Sequence, residues 1–173
     1  ALADPLRARA CQGRLIDRIA CRSRFDDIDV TRIDFHFNTP DKLGYGCRLV
    51  RKAWRAGHRI VVFSNEPDQL AAFDEALWTF SPQDFIPHVM VGDPLAVQTP
   101  IVLTAHDPAT DDRDLLINLG TQTPPGFARF ERLIELVASD DADREQGRQR
   151  WRFYRDRGYP IDTHDLAAPG AAR

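Results

Sequence analysis

Residues 32–64 read RIDFHFNTPDKLGYGCRLVRKAWRAGHRIVVFS, and three periodicities follow one another within them. In the first six residues Ile33, Phe35 and Phe37 alternate with Arg32, Asp34 and His36, the two-residue repeat of a strand with one buried face. Thr39 and Pro40 then supply a helix N-cap and a first-turn proline. Leu43, Cys47, Val50, Ala53 and Trp54 form the apolar stripe of the helix that follows, and Gly57 stops it. Arg59 to Ser64 has an unbroken apolar centre, as expected of a strand covered on both faces. A second helix starts at Asn65 and Pro67 and repeats Leu70, Phe73 and Leu77 at three and four. A β-α-β-α opening of this kind predicts an α/β domain built on parallel strands.

Downstream of Phe80 the chain becomes strand-like and rich in loops. Short strands are expected at 86–91, 101–104 and 115–119, separated by Asp-Pro turns and an acidic group at Asp111, Asp112 and Asp114. Phe127, Phe130, Ile134 and Val137 predict an amphipathic helix over 127–138. Asp140 to Asp143 marks a turn and the acidic start of a last helix, which Gly158 ends.

That last helix carries the strongest functional signal. Arg144, Arg148, Trp151, Arg152 and Arg155 fall at i, i+4, i+7, i+8 and i+11, which gathers them on one side of a helix. From Arg144 to Arg157 six arginines face Glu145 and Asp156, a local charge of +4 in a chain whose total is −3, so the remainder carries −7. A concentrated cationic patch on an acidic protein suits a small anionic partner better than a long polyanion. The same pattern also fits a solvated helix face whose Trp151, Phe153 and Tyr154 are core contacts. With 21 arginines and only Lys42 and Lys52 as lysines, the choice of arginine carries little information.

Composition bounds the class. At 173 residues, 43% hydrophobic and 28% charged, the sequence describes one globular domain with enough apolar material for a core. The longest apolar runs, such as Ile60 to Phe63, fall far short of the roughly 20 residues of a membrane span. Three cysteines, at 11, 21 and 47, form no CxxC pair, which supports neither a disulfide framework nor a zinc site and fits a reducing cytoplasm. Residues 1–30 read as a poorly ordered extension, expected to be translated from upstream of an alternative start at Val30; 31–166 read as the domain and 167–173 as a flexible tail.

Searches for catalytic chemistry return little. The loop after the first strand, NTPDKLGYG, holds neither GxGxxG nor GxxxxGK[ST], and no GxSxG elbow supports a triad around Ser64. The acidic group near Asp111 lacks the spacing of a calcium loop, and the five histidines are scattered. No cofactor or metal is expected.

The segments FHFNTPDK (35–42), RKAWRAGHRIVVFSNEPDQLAAFDEALWTFSPQDFIPH (51–88), DLLINLG (114–120) and RQRWRFYRDRGYPIDTHDL (148–166) together resemble the chi subunit of bacterial DNA polymerase III. DEALW at 74–78 and FIPH at 85–88 are the most specific of these elements. The resemblance implies a Rossmann-like, three-layer α/β fold with a mixed, mostly parallel sheet and no functional nucleotide-binding loop. It implies a non-catalytic accessory subunit of the clamp-loader assembly, working in the bacterial replisome at the nucleoid. Two surfaces come with it. One captures the acidic C-terminal tail of single-stranded DNA-binding protein, carried over here onto Val137, Arg144, Arg148, Trp151, Arg152 and Gly158; Trp151 stands where the family often has a tyrosine. The other binds the psi subunit through Trp78, Phe85, Ile86, Pro87 and His88, a surface for which a helicase is a further implied competitor. On residues alone, Trp78 reads equally as a cap on the core edge. Nucleic acid is expected to be met only indirectly; direct single-strand binding by the same arginines and aromatics is the alternative.

Overall fold

The computed structural model describes residues 30–81, 83–108 and 113–167. Seven strands, β1 (Arg32–Thr39), β2 (Ile60–Phe63), β3 (His88–Met90), β4 (Ile101–Thr104), β5 (Leu115–Asn118), β6 (Arg132–Ala138) and β7 (Ile161–Asp165), form one open sheet in the order β3-β4-β2-β5-β6-β1-β7. Every pairing among them is parallel, so the sheet has no antiparallel member among the described residues. Three helices, α1 (Lys42–Arg55), α2 (Pro67–Thr79) and α3 (Asp141–Asp156), complete the α/β three-layer fold. The extension expected over 1–30 and the tail expected over 167–173 lie outside the described residues, apart from Val30 and Ala167.

The two faces of the sheet explain the sequence pattern. Along β2, Ile60 and Val62 join the core beneath α1 and α2, while Val61 and Phe63 join the core beneath α3. A strand buried on both faces must be apolar throughout, and all four residues of β2 are buried. The α1 stripe docks through Cys47, Val50 and Ala53, and the α2 stripe through Leu70, Phe73 and Leu77. α3 joins β6 to β7 across β1, so it covers the end of the sheet where Ile33, Phe35 and Val137 point toward it.

Three local expectations are corrected. Residues 127–138 are not a helix: a single 3-10 turn over Phe127–Arg129 is followed by β6, in which Leu133 through Val137 are all buried. Residues 133–137 pack on both sides, and a strand inside the sheet buries alternate residues in opposite cores, so no polar face appears. The N-cap of α1 is Asp41, not Thr39: its Oδ1 accepts from the Gly44 amide at 2.9 Å, while Thr39 is still paired with β6. Pro40 therefore precedes the helix instead of opening it. β7, which the sequence did not announce, is an edge strand with four of its five residues exposed.

Candidate functional site

α3 is positioned from below. Asp140 caps its start, Oδ1 accepting from the Asp143 amide at 2.9 Å, and Asp143 Oδ2 accepts from Lys42 Nζ and from the Ala138 amide, both at 2.7 Å. Arg150, counted by sequence among the cations of the patch, turns inward. It donates from Nε to Glu135 at 2.9 Å in a pair whose side chains are 3% and 0% exposed. Tyr154 donates to the other Glu135 oxygen at 2.7 Å. Arg150 lies about 200° around the helix from Arg148, so anchoring the first turns the second to solvent.

The outward face then borders an open groove of about 360 Å³, lined by Phe35, Phe37 and Asn38 of β1, Val137 of β6, Thr163 of β7, and Arg144, Gly147, Arg148 and Trp151 of α3. Four of the sequence-derived residues, Val137, Arg144, Arg148 and Trp151, thus meet at one place. Arg152 and Gly158 do not line it: both are exposed, and Gly158 sits beyond the helix end with φ +79°. Gly147 was missed by sequence reading. A Cβ there would stand 2.9 Å from Val137 Cγ2, so its absence permits the close approach of α3 to β6 that makes the groove floor.

Asn38 was missed as well. It occupies the left-handed region with φ +59° at a register shift in β1, which aims its carboxamide at both neighbours. Its Oδ1 accepts from Arg144 Nη2 at 2.6 Å and Nε at 3.2 Å, and its Nδ2 donates to Asp165 at 2.7 Å. Arg144 is therefore pre-oriented over the groove. Arg148, its side chain 64% exposed, is ion-paired with Glu145 at 3.2 Å, a surface pair of little energetic weight. The Arg155 guanidinium stacks 4.9 Å from the Trp151 ring centroid. A half-buried indole, an apolar floor and two forward-facing guanidinium groups can hold a carboxylate beside an apolar side chain.

The second set of residues lies at the opposite edge of the sheet. Trp78 and Phe85 are 54% and 67% exposed, with ring centroids 5.5 Å apart. Ile86 is buried in the core beneath α2, and Pro87 is half-buried. His88 is buried under Trp78, its ring centroid 4.8 Å from the indole, and its Nδ1 donates to the Ile86 carbonyl at 2.7 Å. Trp78 and Phe85 thus face outward side by side, with Ile86 and His88 buried beneath them.

A larger concavity, about 1360 Å³, opens on the α1 side beside His36, Tyr45, Arg48, Lys52, Arg132 and His164. Its lining mixes charges of both signs, with Arg132 ion-paired to Asp34 and His58 hydrogen-bonded to Asp114 at 2.5 Å. Burial, reinforced by the charge of His164, lowers the pKa of His36 to about 4. Among the described residues no group of three or more His, Cys, Asp or Glu side chains is placed to hold a metal ion, and no helix is long and apolar enough to cross a membrane.

Residues 30–162 match the family described as DNA polymerase III chi subunit, HolC. The chain belongs to that family. The chi subunit of Pseudomonas aeruginosa is 36% identical over 141 residues, covering 79% of this chain and 98% of the relative. That of Haemophilus influenzae is 31% identical over 121 residues, covering 69% and 84%, and that of Escherichia coli 26% over 118 residues, covering 68% and 80%. Chi membership makes this chain a DNA polymerase III subunit of DNA replication. A crystal structure of T4 UvsW superposes with a TM-score of 0.57 at 8% identity, over 80% of this chain and 42% of that one, a likeness of fold alone.

Proposed function

We propose that this chi-family chain is a non-catalytic replisome adaptor that joins the clamp loader, through psi, to the acidic C-terminal tail of single-stranded DNA-binding protein. The observation that carries the reading is the convergence of Arg144, Arg148, Trp151 and Val137 on one groove. A tail that ends in aspartates, an apolar pair and a terminal phenylalanine offers carboxylates to the guanidinium groups and a ring to the floor of Phe35, Phe37 and Val137. Charge accelerates encounter, and the desolvated ring sets register and residence. Arg152, exposed one residue beyond Trp151, adds to the field without lining the floor.

Each such contact is modest, so one tail is held with micromolar-range affinity, about −7 to −9 kcal/mol, strengthened by avidity when the partner is multimeric. The exposed Trp78 and Phe85 pair supports psi docking at the far edge of the sheet, where an aromatic anchor suits an interface centre. A helicase would compete for the same pair.

Calorimetric titration of a tail peptide into the native chain and an Arg148→Glu variant tests the reading. The native chain binds, salt weakens it, and the variant loses binding while keeping its fold; equal affinities in the two would sink the assignment. Oligonucleotide titration without the partner protein separates direct single-strand binding, for which the net charge of −3 predicts weak association at most.

A further inference from the structure

The surface around Trp78 has a one-sided charge. α2 contains no basic residue, and Glu66, Asp68, Asp74 and Glu75 are the ionised groups on it or at its start. Asp74 and Glu75 lie four and three residues before Trp78, and Ala71 seven before, so one exposed stripe carries an indole, two carboxylates and a small residue. Asp84, next to Phe85, is ion-paired with both Arg51 and Arg55. Asp74 and Glu75 meet no arginine or lysine among the described residues.

An independent observation lies under the indole. The His88 side chain is fully buried, and its Nδ1 hydrogen is committed to the Ile86 carbonyl, which can only accept. Its Nε2 has no hydrogen-bond partner among the described residues and is aimed at Asp74 Oδ1, 3.3 Å away. The carboxylates of Asp74 and Glu75 at the foot of an exposed tryptophan are matched best by a cationic N–H donor.

We propose that this surface is built for a partner segment that combines apolar anchors with a basic side chain: the anchors rest on Trp78 and Phe85, and an arginine or lysine donates to Asp74 and Glu75. The proposal rests on the reading that psi binds here, and it specifies the chemistry psi must present. It also gives the adaptor a sorting device. Asp74 and Glu75 repel an acidic tail from the α2 surface, while Arg144 and Arg148 repel a basic segment from the α3 groove, so each partner is excluded from the other's site.

The test measures binding of full-length psi from the same bacterium to the full chain and to Trp78→Ala, Glu75→Lys and Asp74→Asn/Glu75→Gln variants, at two salt concentrations. Trp78→Ala abolishes binding. The neutralised double variant weakens it about tenfold and flattens its salt dependence, and the exposed Glu75→Lys change weakens it further. Loss on Trp78→Ala with unchanged affinity and salt slope in both charge variants overturns the basic subsite and leaves psi docking intact. Undiminished binding of Trp78→Ala overturns both. Melting curves identify any variant lost to unfolding, and Glu75→Lys, on an exposed side chain, keeps the test decisive.

Discussion

Glu135→Gln removes one charge from the centre of the network that holds α3. Glu135 accepts from Arg150 Nε and Asn118 Nδ2, each at 2.9 Å, and from the Tyr154 hydroxyl at 2.7 Å. The glutamine keeps the volume but leaves the Arg150 cation, 3% exposed, without a counter-charge, and turns an amide NH2 toward groups that are themselves donors. Arg150 Nη1 keeps the Thr121 carbonyl at 2.8 Å, but Nη2 already has no hydrogen-bond partner among the described residues, so the ion has little left to compensate it. Breaking one side of a buried pair costs about 3–5 kcal/mol, a large part of the roughly 5–15 kcal/mol that stabilises a domain. At about 2–4 °C per kcal/mol for a domain of this size, Tm falls by about 6–20 °C. Tyr154→Phe loses a single bond to the carboxylate and costs about 1.5–3 kcal/mol. A Glu135→Leu/Arg150→Met pair, which removes both charges, recovers most of the loss. Urea and thermal unfolding followed by circular dichroism measure all three. A Glu135→Gln protein within about 1 kcal/mol of the native one would refute the claim that this carboxylate is the counter-ion fixing α3.

Three further outcomes follow from buried groups. His36 has a pKa of about 4 when folded, through burial first and His164 second, against about 6.5 unfolded. The fold favours its neutral ring, so its contribution is complete above pH about 6.5 and is lost as pH falls toward about 4; the stability gap between the native chain and His36→Gln narrows over that window in urea titrations. Cys47 is fully buried and its thiol is pushed up to about 11, by burial first and by Asp41 second. Peptide mapping after alkylation at mildly alkaline pH finds it protected in the folded chain and modified in urea. Gly147→Ala drives a Cβ against the stiff Val137 side chain; overpacking of about 1–3 kcal/mol is partly offset by about 1 kcal/mol of helix propensity. Melting therefore falls by at most about 8 °C, for a net loss of about 0–2 kcal/mol, while calorimetry shows tail affinity falling severalfold as the groove floor moves.

The elements that announced themselves in the sequence are those with one clean period. α1 and α2 carry three-four stripes and pack as those patterns require; in β1 Ile33 and Phe35 are buried as the alternation predicts, but Asp34 and His36 on the opposite face are buried too and Phe37 only half-buried, so the strand has no solvent face there. β6 failed because Phe127, Phe130, Ile134 and Val137 happen to recur at helical spacing. Phe127 opens a 3-10 turn that Phe130 caps, and Ile134 and Val137 point to opposite faces of a strand. The sequence carried no sign that Glu135 is buried, because its neutralising partner, Arg150, lies 15 residues away. β7 was silent for the opposite reason: an exposed edge strand of sequence IDTHD has no apolar face to show.

The site was half legible on the same grounds. Arg144, Arg148 and Trp151 share one helix, so spacing alone groups them. Phe35, Phe37, Asn38 and Thr163 come from other strands, and only the β6-β1-β7 order brings them to α3. Alternation in β1 could have marked Phe35 and Phe37 as facing one way, but not that the face is incompletely covered. Arg150 shows the reverse error: counted with the patch, it belongs to the core.

The measurement that bears most directly on the adaptor reading is an NMR titration of the isotope-labelled chain with the acidic tail peptide, following the tryptophan indole and arginine side-chain resonances. Trp151 and Arg148 are predicted to shift together and saturate in the micromolar range, while the Trp78 indole stays in place. Shifts centred on Trp78, or a saturated complex that leaves Trp151 unmoved, would contradict it.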